Sequence, residues 1–302
     1  MVTCKRIEFF VKKTKVVGNL FIPKNQNLDK YPGLFVGGPM TSVKEQVTGV
    51  YAEALAKYGF VTLAIDHRYF GESGGEPRQY EKFADKILDI KIAVDFLKKR
   101  AEVDENLVSL VGVCLGAGYI LAAASEISDI YRLVAVAGYY RDIDEMKSKN
   151  MDDFADKISS GTRARRYYDL TGKILTIPAA SLTEEAAMQT KDTVEYYTQR
   201  AAVQNYKNSF AVMSREFFTR FDVQSYAKKT IHPFLMIHSK NALSPHWADR
   251  FYKNVKAKKT RQFIDTIGQT DFYDDTVIVD RCVQYISKYL QLPALSKSIN
   301  VE

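Results

Sequence analysis

The residues with the clearest capacity for covalent chemistry are Gly112-Val113-Cys114-Leu115-Gly116. A thiol stands between two glycines, after the apolar run 107–113 (LVSLVGV) and before the small-residue stretch 116–128. This is G-x-C-x-G in a strand–turn–helix setting, the cysteine form of a nucleophile elbow. The glycines let strand and helix approach closely. The thiol at the helix N-terminus would gain from the macrodipole, so a stabilised thiolate is expected, and the Leu115 N–H would point where an oxyanion forms. A second oxyanion donor is expected from Gly37-Gly38-Pro39-Met40-Thr41. Pro39 has no N–H, which leaves that of Met40. A general base for such a nucleophile is usually a histidine, and the chain has four: His67, His232, His238 and His246.

Those residues need a scaffold, and the pattern around them supplies one. The run at 60–65 (FVTLAI) is continuously apolar, as a strand buried on both faces is; 107–113 reads as another buried strand, 34–36 is a short apolar run, and 132–137 and 233–237 are strand-like. Between them 43–58, 83–99 and 116–128 carry helical spacing. Strands alternating with helices predict parallel βαβ units and a doubly wound sheet. The alternation stops after Gly138. Residues 140–229 show helical stretches at 146–158, 182–200 and 213–227 without a convincing strand, which predicts an inserted helical cap. The expected organisation is a core of 1–139 and 230–292, a cap of 140–229 and a tail of 293–302.

Composition narrows the class. With 43 Lys and Arg against 36 Asp and Glu the net charge is +7, and 46% of residues are hydrophobic. The basic residues are scattered rather than gathered into a stripe with stacking aromatics, so no nucleic-acid partner is expected. No run reaches the length of a membrane span and the first residues lack an apolar signal core. Three widely spaced cysteines form neither a disulfide framework nor a zinc pattern. The expectation is a cytoplasmic, reduced-thiol protein with no metal and no cofactor. Its partner would be a small acyl substrate, and a second copy of the chain is allowed.

The strings GGPMTSVKEQ, YGFVTLAIDHRYFGESGGEPR, GVCLGAGY and HSKNALSP…TDFYDD resemble the α/β-hydrolase superfamily, in its dienelactone-hydrolase-like and YcjY-like branch, from Tyr31 to Leu290. The resemblance implies an α/β-hydrolase fold, a nucleophile at Cys114, an acid after the penultimate strand of the sheet and a His after the last. It implies acyl transfer to water as the chemistry. Matching the motifs places Asn241 at the acid's position and Gln269 at that of the base. Gln cannot serve as a general base near neutral pH. Three readings follow. Cys114 works without a histidine, its lowered pKa supplying thiolate while Gln269 orients substrate or water. Alternatively His67 or His246 substitutes as the base. In the third, the fold binds a ligand or performs a cyclase or isomerase reaction instead of hydrolysis.

Overall fold

A computed structural model describes residues 1–24 and 29–291. The expected tail and residue 292 of the expected core lie outside the described residues. Eight strands form one sheet: β1 (Val2–Val11), β2 (Thr14–Pro23), β3 (Tyr31–Gly37), β4 (Val61–Ile65), β5 (Val103–Val113), β6 (Leu133–Val136), β9 (Phe234–His238) and β10 (Lys259–Phe263). Their order is β1-β2-β4-β3-β5-β6-β9-β10. β2 pairs antiparallel with β1 and β4, and every other pairing is parallel. Every residue of β4, β6 and β9 is buried, which is why these strands read as unbroken apolar runs.

Helix α1 (Val47–Lys57) links β3 to β4, α2 (Phe83–Lys98) links β4 to β5, and α3 (Leu115–Ala124) links β5 to β6. From β3 the chain steps to β4 on one side, and from β5 it steps to β6 on the other. With right-handed crossovers α1 and α3 therefore lie on opposite faces. The strand ends of β3 and β5 meet at this reversal, the place where open α/β sheets leave a crevice. Both chemistry-bearing segments, 37–41 and 112–116, emerge there. α8 (Pro245–Asn254) follows β9. After β10 come the short α9 (Asp271–Asp274) and then α10 (Thr276–Gln291), which packs against α1.

Between β6 and β9 the chain leaves the sheet. This stretch holds α4 (Ile143–Lys149), the long α5 (Met151–Thr171), α6 (Lys191–Glu195) running into a π-helical turn at Tyr196–Arg200, and α7 (Arg215–Phe218). It also holds strands the sequence did not announce, β7 (Thr176–Ile177) and β8 (Phe210–Ala211), paired antiparallel. Two residues per strand are too few for a period-2 pattern to register. Among the described residues no helix is long and apolar enough to cross a membrane.

The elbow between β5 and α3 explains its glycines. A Cβ on Gly112 would meet the Gly116 carbonyl oxygen at 2.6 Å, and one on Gly116 would meet the carbonyl oxygens of Gly37 and Gly38 at 2.6 Å. Backbone atoms cannot yield as a flexible side chain would, so β5, α3 and the β3 loop fit together only without side chains at these two positions. Gly116→Ala is expected to cost about 1–3 kcal/mol. The loss should read as a lower denaturant midpoint with an unchanged slope, and an unaltered midpoint would contradict the packing argument.

Candidate active site

Cys114 occupies the elbow at φ +55° and ψ −124°, a region that side-chain-bearing residues rarely adopt. Its N–H donates to the Val136 carbonyl at 3.0 Å, and its carbonyl accepts from Ala117 and Tyr139. The thiol faces a cavity of about 250 Å³ lined by Met40, Leu115, Tyr139, Arg141, Thr193 and Tyr273 among others. Cys114 itself is only 7% exposed.

Burial decides the ionisation of this thiol. Desolvation pushes its pKa up to about 11, against the pull of hydrogen bonding from Tyr273, the Leu115 N–H and Gln269. The expected stabilised thiolate is therefore not what the environment favours. A helix terminus contributes at most about 1–2 kcal/mol, which is less than the cost of burying a charge without a counter-ion. Asp192 opposes ionisation further.

Gln269 lies in the loop between β10 and α9, and each half of its amide is fixed. Oε1 accepts the Leu243 N–H at 2.9 Å. Nε2 donates to the Ala137 carbonyl at 2.8 Å and to the Tyr273 hydroxyl at 3.3 Å. Since Tyr273 accepts from Gln269, its own O–H is free to be directed at the sulfur beside it. Burial and the neighbouring Cys114 push the Tyr273 phenol well above its ordinary pKa. Tyr273 belongs to the D-x-Y-D stretch that aligned Gln269, yet sequence reasoning gave it no role.

Asn241 does not join this group. It lies in the loop after β9, and its side-chain N–H donates to the Thr266 carbonyl at 2.6 Å. It ties the β9 loop to the β10 loop, while Gln269 takes its partner from Leu243 instead. The histidines also stand apart from the cavity lining. Buried His67 contacts Asp89 at 3.2 Å, and exposed His246 contacts Glu145 at 2.8 Å. His238 is sealed between the carbonyls of Ser239 and Gly138, and His232 contacts the Ile127 carbonyl at the opposite end of β9. The structure thus brings Cys114, Met40, Leu115, Gln269 and Tyr273 together, and leaves Asn241, His67 and His246 outside the group.

The loop carrying Met40 is held from behind. Thr41 sits at φ +61°, an unusual conformation for a β-branched residue. Its N–H donates to the fully buried Glu81 carboxylate at 2.9 Å. The other Glu81 oxygen accepts the Tyr119 hydroxyl at 2.6 Å and pairs with Lys86 at 2.6 Å. Further along the loop, buried Lys44 pairs with Asp66 at 2.8 Å and with Glu72 at 2.6 Å. Among the described residues no protein acceptor takes the Met40 N–H. Glu81 carried no motif, and only the fold shows that it anchors this loop.

An acidic trio of Glu45, Asp66 and Glu72 could in principle hold a cation. The Lys44 ammonium already fills it, touching all three carboxylates within 2.8 Å.

Comparison with known proteins places this geometry in a family. An uncharacterised Pseudomonas aeruginosa protein, PA2218, is 28% identical over 290 residues, covering 91% of this chain and 77% of that protein. Its crystal structure superposes with a TM-score of 0.81 at 25% identity, covering 95% of this chain and 94% of the other. The uncharacterised Escherichia coli protein YcjY is 28% identical over 281 residues, 90% of this chain and 92% of its own. GrgF of Penicillium, a polyketide transferase, is 28% identical over 106 residues, 35% of this chain and 36% of its own. The crystal structure of GrgF, an α/β-hydrolase, gives a TM-score of 0.79 at 19% identity, over 95% of this chain and 99% of that one. The fold is the α/β-hydrolase fold, and the family model described as serine aminopeptidase, S33, matches residues 45–268. The chain belongs to this hydrolase family, with Cys114 at the elbow between β5 and α3.

Proposed function

We propose that the protein is an acyltransferase or acyl hydrolase in which Cys114 takes the acyl group of a small or medium ester, thioester or lactone. One observation carries this reading. Cys114 is held in a strained elbow on a cavity, beside the Leu115 N–H and sharing that cavity with Met40, whose N–H has no protein acceptor among the described residues. Strain retained at a turn that faces a cavity is characteristic of a working nucleophile. The hydrolase family membership and the name of GrgF agree with acyl chemistry.

The site favours attack by a neutral thiol. Burial pushes the thiol up to about 11, so Cys114 rests protonated at neutral pH. The proton must therefore move as the bond forms. Cys114 Sγ bonds to the acyl carbon, and the two N–H groups receive the developing oxyanion. The Tyr273 O–H turns from the sulfur to the leaving group, and the thiol proton passes to the Tyr273 oxygen as the hydroxyl proton passes to that group. The bond from acyl carbon to leaving group then breaks, and Tyr273 ends neutral as it began. Gln269, pinned by Ala137 and Leu243, keeps the Tyr273 oxygen in place. Attack by water on the acyl-enzyme has no imidazole to assist it, so an incoming thiol or amine, nucleophilic without a base, is the better acceptor.

The raised pKa also favours a second reading, a ligand-binding member of the family that performs no acyl chemistry. The two separate in one experiment. With p-nitrophenyl butyrate the acyltransferase reading expects a burst of one nitrophenol per chain, slow turnover afterwards and a butyryl adduct on Cys114 by intact mass. Cys114→Ala should show neither burst nor adduct. No adduct on the unmodified protein would establish the binding reading instead. Tyr273→Phe should slow the burst by roughly 10²-fold while leaving its amplitude at one per chain. A burst of unchanged rate would remove Tyr273 from the proton path.

A further inference from the structure

Beside the cavity at Cys114 lies an outer chamber of about 370 Å³, and both spaces are lined by Tyr139, Arg141, Ala187, Gln189 and Phe218. Arg141 is the charged residue common to the two, and it is 4% exposed. Its Nε and Nη2 donate to the carbonyls of Phe221 and Thr219, each at 3.2 Å. Its guanidinium lies over the Phe218 ring, 4.5 Å from the centroid. These contacts fix the plane of the group, and among the described residues no acceptor takes Nη1.

Charge balance distinguishes Arg141 from the other cations of the outer chamber. Lys157 pairs with Asp153 at 2.6 Å and Arg215 pairs with Glu185 at 2.7 Å. Among the described residues no carboxylate pairs with Arg141. Asp222 acts on it through space from beyond ion-pair distance, and burial pulls the guanidinium below its usual range. A buried guanidinium without a counter-ion is costly, and an anion bound in the cavity would offset that cost. A neutral ligand would leave it in place.

Resting on the acyl-transfer reading, we propose that Arg141 is a specificity residue and that the preferred acyl group carries a carboxylate at its far end. The substrate class is then a half-ester or half-thioester of a short dicarboxylic acid. Sγ takes the acyl carbon while Nη1 receives the carboxylate. A single free donor corner suits one carboxylate, whereas a phosphate group ordinarily gathers several donors. The small space shared by Cys114 and Arg141 restricts the chain between the two ends.

The test measures binding to the full chain carrying Cys114→Ala, so that acylation plays no part. Monomethyl glutarate, with one carboxylate and one ester, is titrated calorimetrically beside dimethyl glutarate, its uncharged counterpart. The monoester is expected to bind at least about tenfold more tightly, the scale of one charge-assisted hydrogen bond. Adding Arg141→Gln should abolish the difference, and Arg141→Lys, which keeps the charge should the first variant fold poorly, should retain most of it. Equal binding of the two esters, no detectable monoester binding at millimolar concentration, or a preference that persists in Arg141→Gln would each overturn the proposal. A preference that holds while Cys114 forms no adduct in the unmodified protein would uphold the subsite and refute the acyl-transfer reading.

Discussion

The backbone turn at Cys114 is the constraint on which the rest of the site depends. A residue with a side chain at φ +55° costs of the order of 1–3 kcal/mol. The surrounding structure holds it there by three backbone hydrogen bonds to Val136, Ala117 and Tyr139, and by the absence of side chains at Gly112 and Gly116. Because β5 enters the turn and α3 leaves it, the position of the thiol is set by the sheet rather than by a loop. The β3 loop then has to pass within touching distance of Gly116. Thr41 follows Met40 in a second strained conformation, which the Glu81 carboxylate holds from the far side. Two strained turns from adjacent strands, each fixed from behind, form the floor of the cavity.

Within the reading proposed here, the chemistry follows from how deeply the thiol is buried. A cysteine at a helix N-terminus invites the expectation of a thiolate, but this sulfur is buried, and the Asp192 carboxylate adds to the cost of charging it. Burial therefore dominates the dipole. What remains near Sγ are hydrogen-bonding groups that stay neutral at working pH: an amide, a phenol and backbone N–H groups. Such a set can orient and relay a proton but cannot store one. Within the reading proposed here that is why acylation is separable from release, and why the acceptor that relieves the acyl-enzyme matters as much as the donor. Burial likewise gives the Arg141 charge its weight in the proposed specificity, since a charge interaction is stronger away from bulk water.

Much of the scaffold was legible in the sequence. The buried strands β4, β5, β6 and β9 announced themselves as unbroken apolar runs, and the elbow glycines marked the turn before any contact was known. The parts that were hidden share a cause. Tyr273 acts on Cys114, 159 positions earlier, while Glu81 holds Thr41 and Arg141 holds Phe221 across some 40 and 80 positions. No local pattern distinguishes them from ordinary buried or surface residues. Asn241 shows the opposite failure. Matching of motifs set it at the acid's position, yet its side chain donates to the Thr266 carbonyl, and the Gln269 oxygen takes its hydrogen bond from the Leu243 N–H. The paired strands β7 and β8 were invisible because two residues carry no periodicity.

The central claim is that Cys114 is presented as a neutral thiol, held by Tyr273 and Gln269 and not ionised by a base. Titrating the ultraviolet absorbance of the thiolate in the unmodified protein, with the Cys114→Ala protein subtracted, measures this directly. The account predicts a midpoint near pH 11, with no thiolate signal from this residue around neutrality. A midpoint below that of an ordinary free cysteine, about 8.5, would contradict it.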